Sequence, residues 1–240
     1  MKNFNWTNLR LVLLLSIIVF LYSFAAHRNG NRNLLESKVN FIDDNAVFIT
    51  HETVNNLLIE NKNDVKTIQK LELNLNKLEK SIDKNPMIEK SEVYVSIDGV
   101  LKSDVKQKKP LARVFNEKGS FYYDYQGNKM PLSDNFTARV PIIFGEISND
   151  YSLEFQKVLQ FMYDDDFLKK NIIGIQVFNN GSLRMQVRDY NFIIDFGKTA
   201  NYESKFNNYK AFFQKAVADN SLKKYKNVNL IYSQQVVATK

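Results

Sequence analysis

The chain has 240 residues, 44% of them hydrophobic and 25% charged, with no cysteine, two histidines and a formal net charge of +7. This is the composition of a globular chain, one large domain or two small ones behind any membrane segment. Disulfides, thiolate nucleophiles, Cys zinc sites and iron–sulfur ligation are excluded, and His27 and His51 alone leave little material for His-rich metal sites or Ser-His-Asp arrangements.

The charge is unevenly placed. Residues 1–38 carry Lys2, Arg10, Arg28, Arg32 and Lys38 against Glu36 alone, residues 39–115 balance, and the remainder has a small basic excess. A nucleic-acid binder concentrates basic charge on its folded part. Here more than half the excess flanks one apolar stretch, so a membrane is the expected partner and nucleic acid is not.

Leu11 to Ala26 contains no charged residue, and Leu9 extends the run past Arg10. That length reaches the roughly 17–25 residues that a span needs, and Trp6 and Tyr22 lie near its ends, where amphipathic rings favour the headgroup level. The sequence therefore predicts a cytoplasmic tail at 1–8, a transmembrane helix at 9–26 and a polar linker at 27–34. Two alternatives compete. Ser23-Phe24-Ala25 offers the small residues of a signal-peptide cleavage site, but the apolar run is longer than the usual 7–15. A buried core helix is the other. Lys2 and Arg10 face Arg28 and Arg32 across the span, so charge gives orientation only weakly.

A small α+β module is predicted next, over 35–110. Val39-Asn40-Phe41-Ile42 reads as a short strand. Thr50 is a good N-cap with Glu52 in the first turn, and Val54, Leu57 and Leu58 continue a helix to about Glu60. Val65, Ile68, Leu71, Leu75, Leu78 and Ile82 form a helical stripe stopped by Asn85-Pro86, packed on a sheet rather than paired as a coiled coil. Val93–Ile97 and Val100–Val105 then alternate around Asp98-Gly99, the signature of a two-residue type I′ hairpin. The order is strand, helix, helix, strand, strand, with both helices on one face of the sheet.

Residues 111–240 are predicted as a mixed α/β domain dominated by an antiparallel sheet. Ala112–Asn116 and Ser120–Tyr125 are strands, the second ending at Gln126-Gly127-Asn128. Tyr151–Met162 is an amphipathic helix. Ile173, Ile175 and Val177 alternate into Asn179-Asn180-Gly181, and Leu183, Met185 and Val187 alternate out. Phe192–Phe196 is a strand, Tyr202, Phe206, Tyr209, Phe213 and Val217 mark a helix, and Val228–Tyr232 is a last strand continued in register towards Ala238.

No catalytic, cofactor or metal site is predicted. The glycines are scattered singly, so none forms a phosphate-binding loop. Asp164-Asp165-Asp166 matches the oxygen ligands of a hard cation, but consecutive residues rarely point to one centre, and a helix N-cap before Phe167-Leu168 accounts for them better. Tyr122, Tyr123 and Tyr125 could stack on sugars or bases; in an alternating strand, packing on the sheet is the commoner use. An anchored cell-wall enzyme would need paired carboxylates, a Ser/Lys site or a metal, and no such constellation appears.

Several words in fixed order resemble the FtsQ/DivIB family of bacterial cell-division proteins. The strand–helix–helix–strand–strand module resembles a POTRA domain. Asn85-Pro86-Met87-Ile88 before Glu92-Val93 is similar to the family's Asn-Pro-Trp-Val motif. Lys108-Lys109-Pro110-Leu111-Ala112 resembles its Glu-Arg-x-Pro-x-Ala junction without the acidic residue. Tyr123-Asp124-Tyr125-Gln126-Gly127 resembles the D-x-x-G hairpin that opens the β domain, and Met130-Pro131-Leu132-Ser133 and Ala138-Arg139-Val140-Pro141 resemble the stretch after it. Phe196-Gly197 with Lys205 matches a Leu-Gly, then Arg/Lys-Leu pattern. Val228-Asn229-Leu230-Ile231-Tyr232 is similar to a late Val-Asp-Leu-Arg-Tyr strand, with Asn for Asp and Ile for Arg.

The resemblance implies a non-enzymatic divisome scaffold that binds FtsB/DivIC-like and FtsL-like single-span proteins and helps control septal peptidoglycan synthesis. Its N-terminus would be cytoplasmic and its bulk extracytoplasmic, in the cytoplasmic membrane at the septum. Another POTRA-bearing envelope factor is the alternative. The partner-binding candidates are Tyr232, Ser233, Gln234, Gln235, Val236 and Val237. They lie at the chain end, where a strand becomes a sheet edge open to strand addition. Tyr232 heads this set, with core packing as its other reading.

Overall fold

The computed structural model describes residues 6–42, 48–59, 64–116, 119–145, 152–232 and 234–240; the expected helix ends at Glu60 and Tyr151 and the candidate Ser233 lie outside them. The chain divides between Gln107 and Lys108 into two compact units.

The first unit opens with α1 (Trp6–Gly30), a helix long and apolar enough to cross a membrane and with no buried residue. It runs past the expected 9–26 and takes in 27–30, which the sequence assigned to a linker. Arg28 occupies its last turn, where a cation meets the negative helix end, and Asn31 N–H closes onto His27 O. The rest of that linker is not free either. Leu34 is buried, and its N–H bonds Ile68 O at 2.9 Å.

Beyond it come β1 (Glu36–Phe41), α2 (His51–Leu58), α3 (Leu75–Asp83), β2 (Ile88–Val95) and β3 (Val100–Gln107). The sheet order is β1-β3-β2, with β1 parallel and β2 antiparallel to the central β3. Val54, Leu58, Leu78 and Ile82 of the two helices share a core with Val93, Leu101 and Val105 of the sheet. Each such fully buried side chain stabilises by about 1.5–3 kcal/mol. The opposite face is polar: Asp104 takes hydrogen bonds from Asn40 and Tyr94.

Two expectations for this unit fail. The stripe from Val65 to Ile82 is not one helix. It breaks into 3-10 turns at Val65–Thr67 and Lys70–Glu72 before α3. The backbone between is claimed by the chain leaving α1, through Leu34 N–H to Ile68 O, Lys70 N–H to Arg32 O and the Asn33–Gln69 bridge. Asn74 then caps α3 by accepting from Lys77 N–H, and Leu71, expected on the buried stripe, is 73% exposed. The hairpin at Asp98-Gly99 is not a two-residue I′ turn. Gly99 has φ +92 while Asp98 does not have a positive φ, and Gly99 N–H bonds Ser96 O across a three-residue loop, Ile97–Gly99.

The second unit contains β4 (Pro110–Asn116), β5 (Gly119–Asp124), β6 (Lys129–Met130), β7 (Ile142–Phe144), α4 (Ser152–Asp164), α5 (Asp166–Asn171), β8 (Ile172–Val177), β9 (Leu183–Val187), β10 (Ile193–Gly197), α6 (Tyr202–Ala218), β11 (Asn227–Asn229) and β12 (Val237–Thr239). Among the described residues these strands form one sheet in the order β12-β11-β10-β9-β8-β7-β4-β5-β6. Antiparallel pairs outnumber parallel ones. The parallel contacts are β4 with β7, β7 with β8, and β10 with β11, and β7, unmarked in the sequence reading, supplies two of them. The loops Tyr125–Gly127 and Asn179–Gly181 repeat the three-residue pattern of the first unit: a positive-φ glycine third, its N–H on the residue before the loop.

Cross-strand partners share a face. One row of partners, Val114, Ile143, Ile175, Met185, Ile194 and Val228, is buried from strand to strand. It shares a core with Phe155, Val158 and Leu159 of α4, Leu168 of α5, and Phe206 and Tyr209 of α6. The neighbouring row, Phe115, Phe144, Gln176, Arg184, Asp195, Asn229 and Val237, is turned to the other face, where Phe115 and Val237 are exposed. Helices cover one face of the sheet, and among the described residues no helix covers the other. Val217, expected on the buried side of α6, is 48% exposed.

Candidate functional site

The expected continuous strand from Val228 to Ala238 is a correction. β11 stops at Asn229, whose side chain accepts from Ile231 N–H at 2.9 Å and turns the chain out of the ladder. The chain then folds back as β12, antiparallel to β11 with Asn227 opposite Thr239, Val228 opposite Ala238 and Asn229 opposite Val237. The candidates therefore separate. Tyr232 lies in the turn and is 57% exposed. Gln234 and Gln235 are exposed in the connection. Val236 packs against the core, and Val237 opens β12, the terminal strand of the sheet order.

The backbone directions follow from the ladder. Ile193 N–H bonds Lys226 O and Leu230 N–H bonds Asp195 O, so Val228 directs its peptide groups at β10. Strand alternation then turns Asn227 and Asn229 towards β12 and pairs them with Thr239 and Val237. Ala238, between these two, points its N–H and C=O away from the sheet. Ala238 and Thr239 were not among the sequence candidates; the period-two pattern marks the strand but cannot show that it reverses.

The edge is anchored from behind. Asp195 on β10 accepts from Arg184 Nε at 2.7 Å and from Asn227 Nδ2 at 2.6 Å, tying β9, β10 and β11 together on the open face. Partial burial pushes the Asp195 carboxyl up, but the bonds from Asn227 and Arg184 with the Arg184 charge outweigh it and hold the group below its ordinary value. At the far end of β10, Lys205 of α6 is 4% exposed and donates to Phe196 O at 2.9 Å and Lys198 O at 2.7 Å. Burial pushes its ammonium down. The acidic triplet is structural: Asp165 caps α5 at Phe167 N–H and Leu168 N–H and pairs with Lys210, while Asp164 accepts from Tyr125 Oη. Tyr122 is buried, with its hydroxyl taking Ala138 N–H.

The family model "FtsQ/DivIB, C-terminal related" matches residues 109–239, more than half of the chain, and a "POTRA-like domain" model matches 37–106. The chain belongs to the FtsQ/DivIB family. This makes it a cell-division protein. The chain is also similar to the major extracytoplasmic domain of the trans isomer of the bacterial cell division protein DivIB from Geobacillus stearothermophilus, at 14% identity and a TM-score of 0.32, over 48% of this chain and 98% of that one. No curated protein matches the sequence.

The FtsQ/DivIB-like words take physical roles in the fold. Asn85 ends α3 by bonding Ile82 O and holds Met87 N–H with its side chain, setting the entry to β2. Asp124 is fully buried, binds Asn128 N–H at 2.7 Å and lies 3.1 Å from the Lys108 ammonium. Gln156 and Gln160 of α4 both donate to Tyr125 O and seat the D-x-x-G hairpin on the helix.

Proposed function

We propose that the chain is a single-span, non-catalytic division scaffold that takes a strand from an FtsB/DivIC-like protein along β12. The N-terminus lies in the cytoplasm and both folded units lie outside it, at the septum, where an FtsL-like protein joins the assembly and septal peptidoglycan synthesis is controlled. The observation that carries this reading is the outward backbone of Ala238 on a terminal strand. An added strand would bond there through main-chain groups and lay alternate side chains over Val237 and the open row that ends in Asn229 and Asp195. Tyr232 and Gln234 stand beside that edge and supply side-chain contacts rather than strand pairing.

The test is affinity purification of the full, membrane-anchored chain from its host. Recovery of other single-span division proteins is expected. Recovery of outer-membrane assembly or secretion components in their place would overturn the reading.

A further inference from the structure

The first unit exposes an apolar cluster at one end. Ile97, at the tip of the β2–β3 loop, is 95% exposed, Leu71 73% and Leu35 57%. Three independent contacts bring them together. Leu35 N–H bonds Gly99 O at 2.9 Å, the Lys70 ammonium bonds Ile97 O at 3.3 Å, and Lys70 N–H bonds Arg32 O at 3.0 Å. A Cβ on Gly99 would stand 3.6 Å from both Leu35 Cγ and Lys70 Cε.

The same end adjoins the exit of α1. Gly30, the last residue of that helix, would meet Leu71 Cδ1 at 3.3 Å with a Cβ. Only residues 31–33 separate it from Leu34, which is fixed in the core. A bilayer around α1 therefore has its surface within a few residues of Leu71 and Ile97. The charge fits an acidic lipid surface: Arg28, Arg32, Lys70, Lys38 and Lys102 stand against Asp98, Glu36 and Glu72, and Lys70 and Lys102 act directly on Asp98.

We propose that Leu35, Leu71 and Ile97, rimmed by Arg32 and Lys70, form a foot that sits in the headgroup region of the membrane crossed by α1 and holds the first unit against it. The inference rests on α1 being a spanning helix. Apolar side chains in the interface with basic neighbours are the composition of a surface-bound element, and the tether removes most of the entropic cost of bringing the foot to the surface. Ile97 fills no core site, so its size and chemistry are free to serve lipid.

The experiment is fluorescence of the full chain in phosphatidylcholine–phosphatidylglycerol vesicles carrying a nitroxide-labelled lipid. Trp6 is the sole tryptophan and reports α1 in the wild-type protein. In a Trp6→Phe background, Ile97→Trp reports the foot and Ile42→Trp is the control, exposed at the other end of β1, about 20 Å away. Ile97→Trp is expected to lose emission to the lipid quencher, because its ring sits at the headgroup level, while Ile42→Trp keeps its own. Quenched Trp6 with Ile97→Trp no more quenched than Ile42→Trp would overturn the foot alone. Unquenched Trp6 would overturn the spanning helix and the foot with it.

Discussion

Lys205 is a charged side chain almost out of water, and what keeps it there is the pair of carbonyls at Phe196 and Lys198. Lys205→Met fills the space but leaves both acceptors without that donor. The expected loss is about 2–6 kcal/mol, each unsatisfied group costing about 1–3, read as a lower denaturant midpoint for the detergent-solubilised chain. Asp195 carries a pH signature. Its carboxyl is held below the ordinary value of 3.8 by Asn227 and Arg184. A depressed carboxylate stabilises the fold above its unfolded pKa, and that contribution drains away as pH falls through the folded value. The stability difference between wild type and Asp195→Asn is therefore expected to be full above the ordinary value of 3.8 and to shrink as pH falls below it. A difference that grew in acid would contradict the network. Asp195 is an ordinary letter in the sequence and Lys205 one position of a Leu-Gly, then Arg/Lys-Leu pattern; only the sheet reveals that Lys205 is buried and that Asp195 bridges three strands.

At the scale of elements, local signals held where the neighbours agreed with them. Thr50 caps α2 through Thr53 N–H, and the alternation of β9 survives into the core, as does that of β8 at Ile175 and Val177. Ile173, expected on the same face, is turned out and Ile172 is buried instead, beside a register shift in the ladder. Local signals failed where the long-range backbone competed. The stripe from Val65 to Ile82 has the right period for one helix, yet residues 32–34 bond its middle and leave Asn74 to start again. Asn74→Ala is expected to cost about 1 kcal/mol by removing that cap, visible as lost helicity and a lower melting temperature. The glycine loops were legible as turns but not as three-residue turns, because the sequence shows a glycine without showing which neighbour shares its φ. Two of them make a paired test. Gly99 and Gly127 have φ +92 and +82, so alanine is strained at each by about 1–2 kcal/mol. At Gly127 the new Cβ also meets Gln156 Oε1 at 2.6 Å, and Gln156 retreats by giving up its own bond to Tyr125 O, leaving Gln160 as the donor there. Gly127→Ala is expected to destabilise more than Gly99→Ala in the same denaturation assay.

At the scale of the molecule, the fold class and the order of the two units were legible because both rest on hydrophobic period and turn residues. The proposed docking edge was legible only in part. The sequence marks a late strand near Val228, but the reversal at Asn229 is a side-chain hydrogen bond that no periodicity records, and it moves the edge from an extended β11 to β12. The discriminating substitutions move with it. Val237 pairs with Asn229, so Val237→Pro is expected to damage the native ladder itself. Val236 and Ala238 both pack on the core, but Val236 lies outside β12 and tests packing alone. Ala238→Pro removes an outward donor while leaving the bonds to β11 in place, as edge prolines do. The account of this protein as a strand-accepting division scaffold is tested most directly by capturing partners with the full membrane-anchored Ala238→Pro chain beside the wild type, with folding checked by circular dichroism. The expected result is a folded variant that loses most of its single-span partner; a folded variant that captures the partner as well as the wild type does would contradict strand addition at β12.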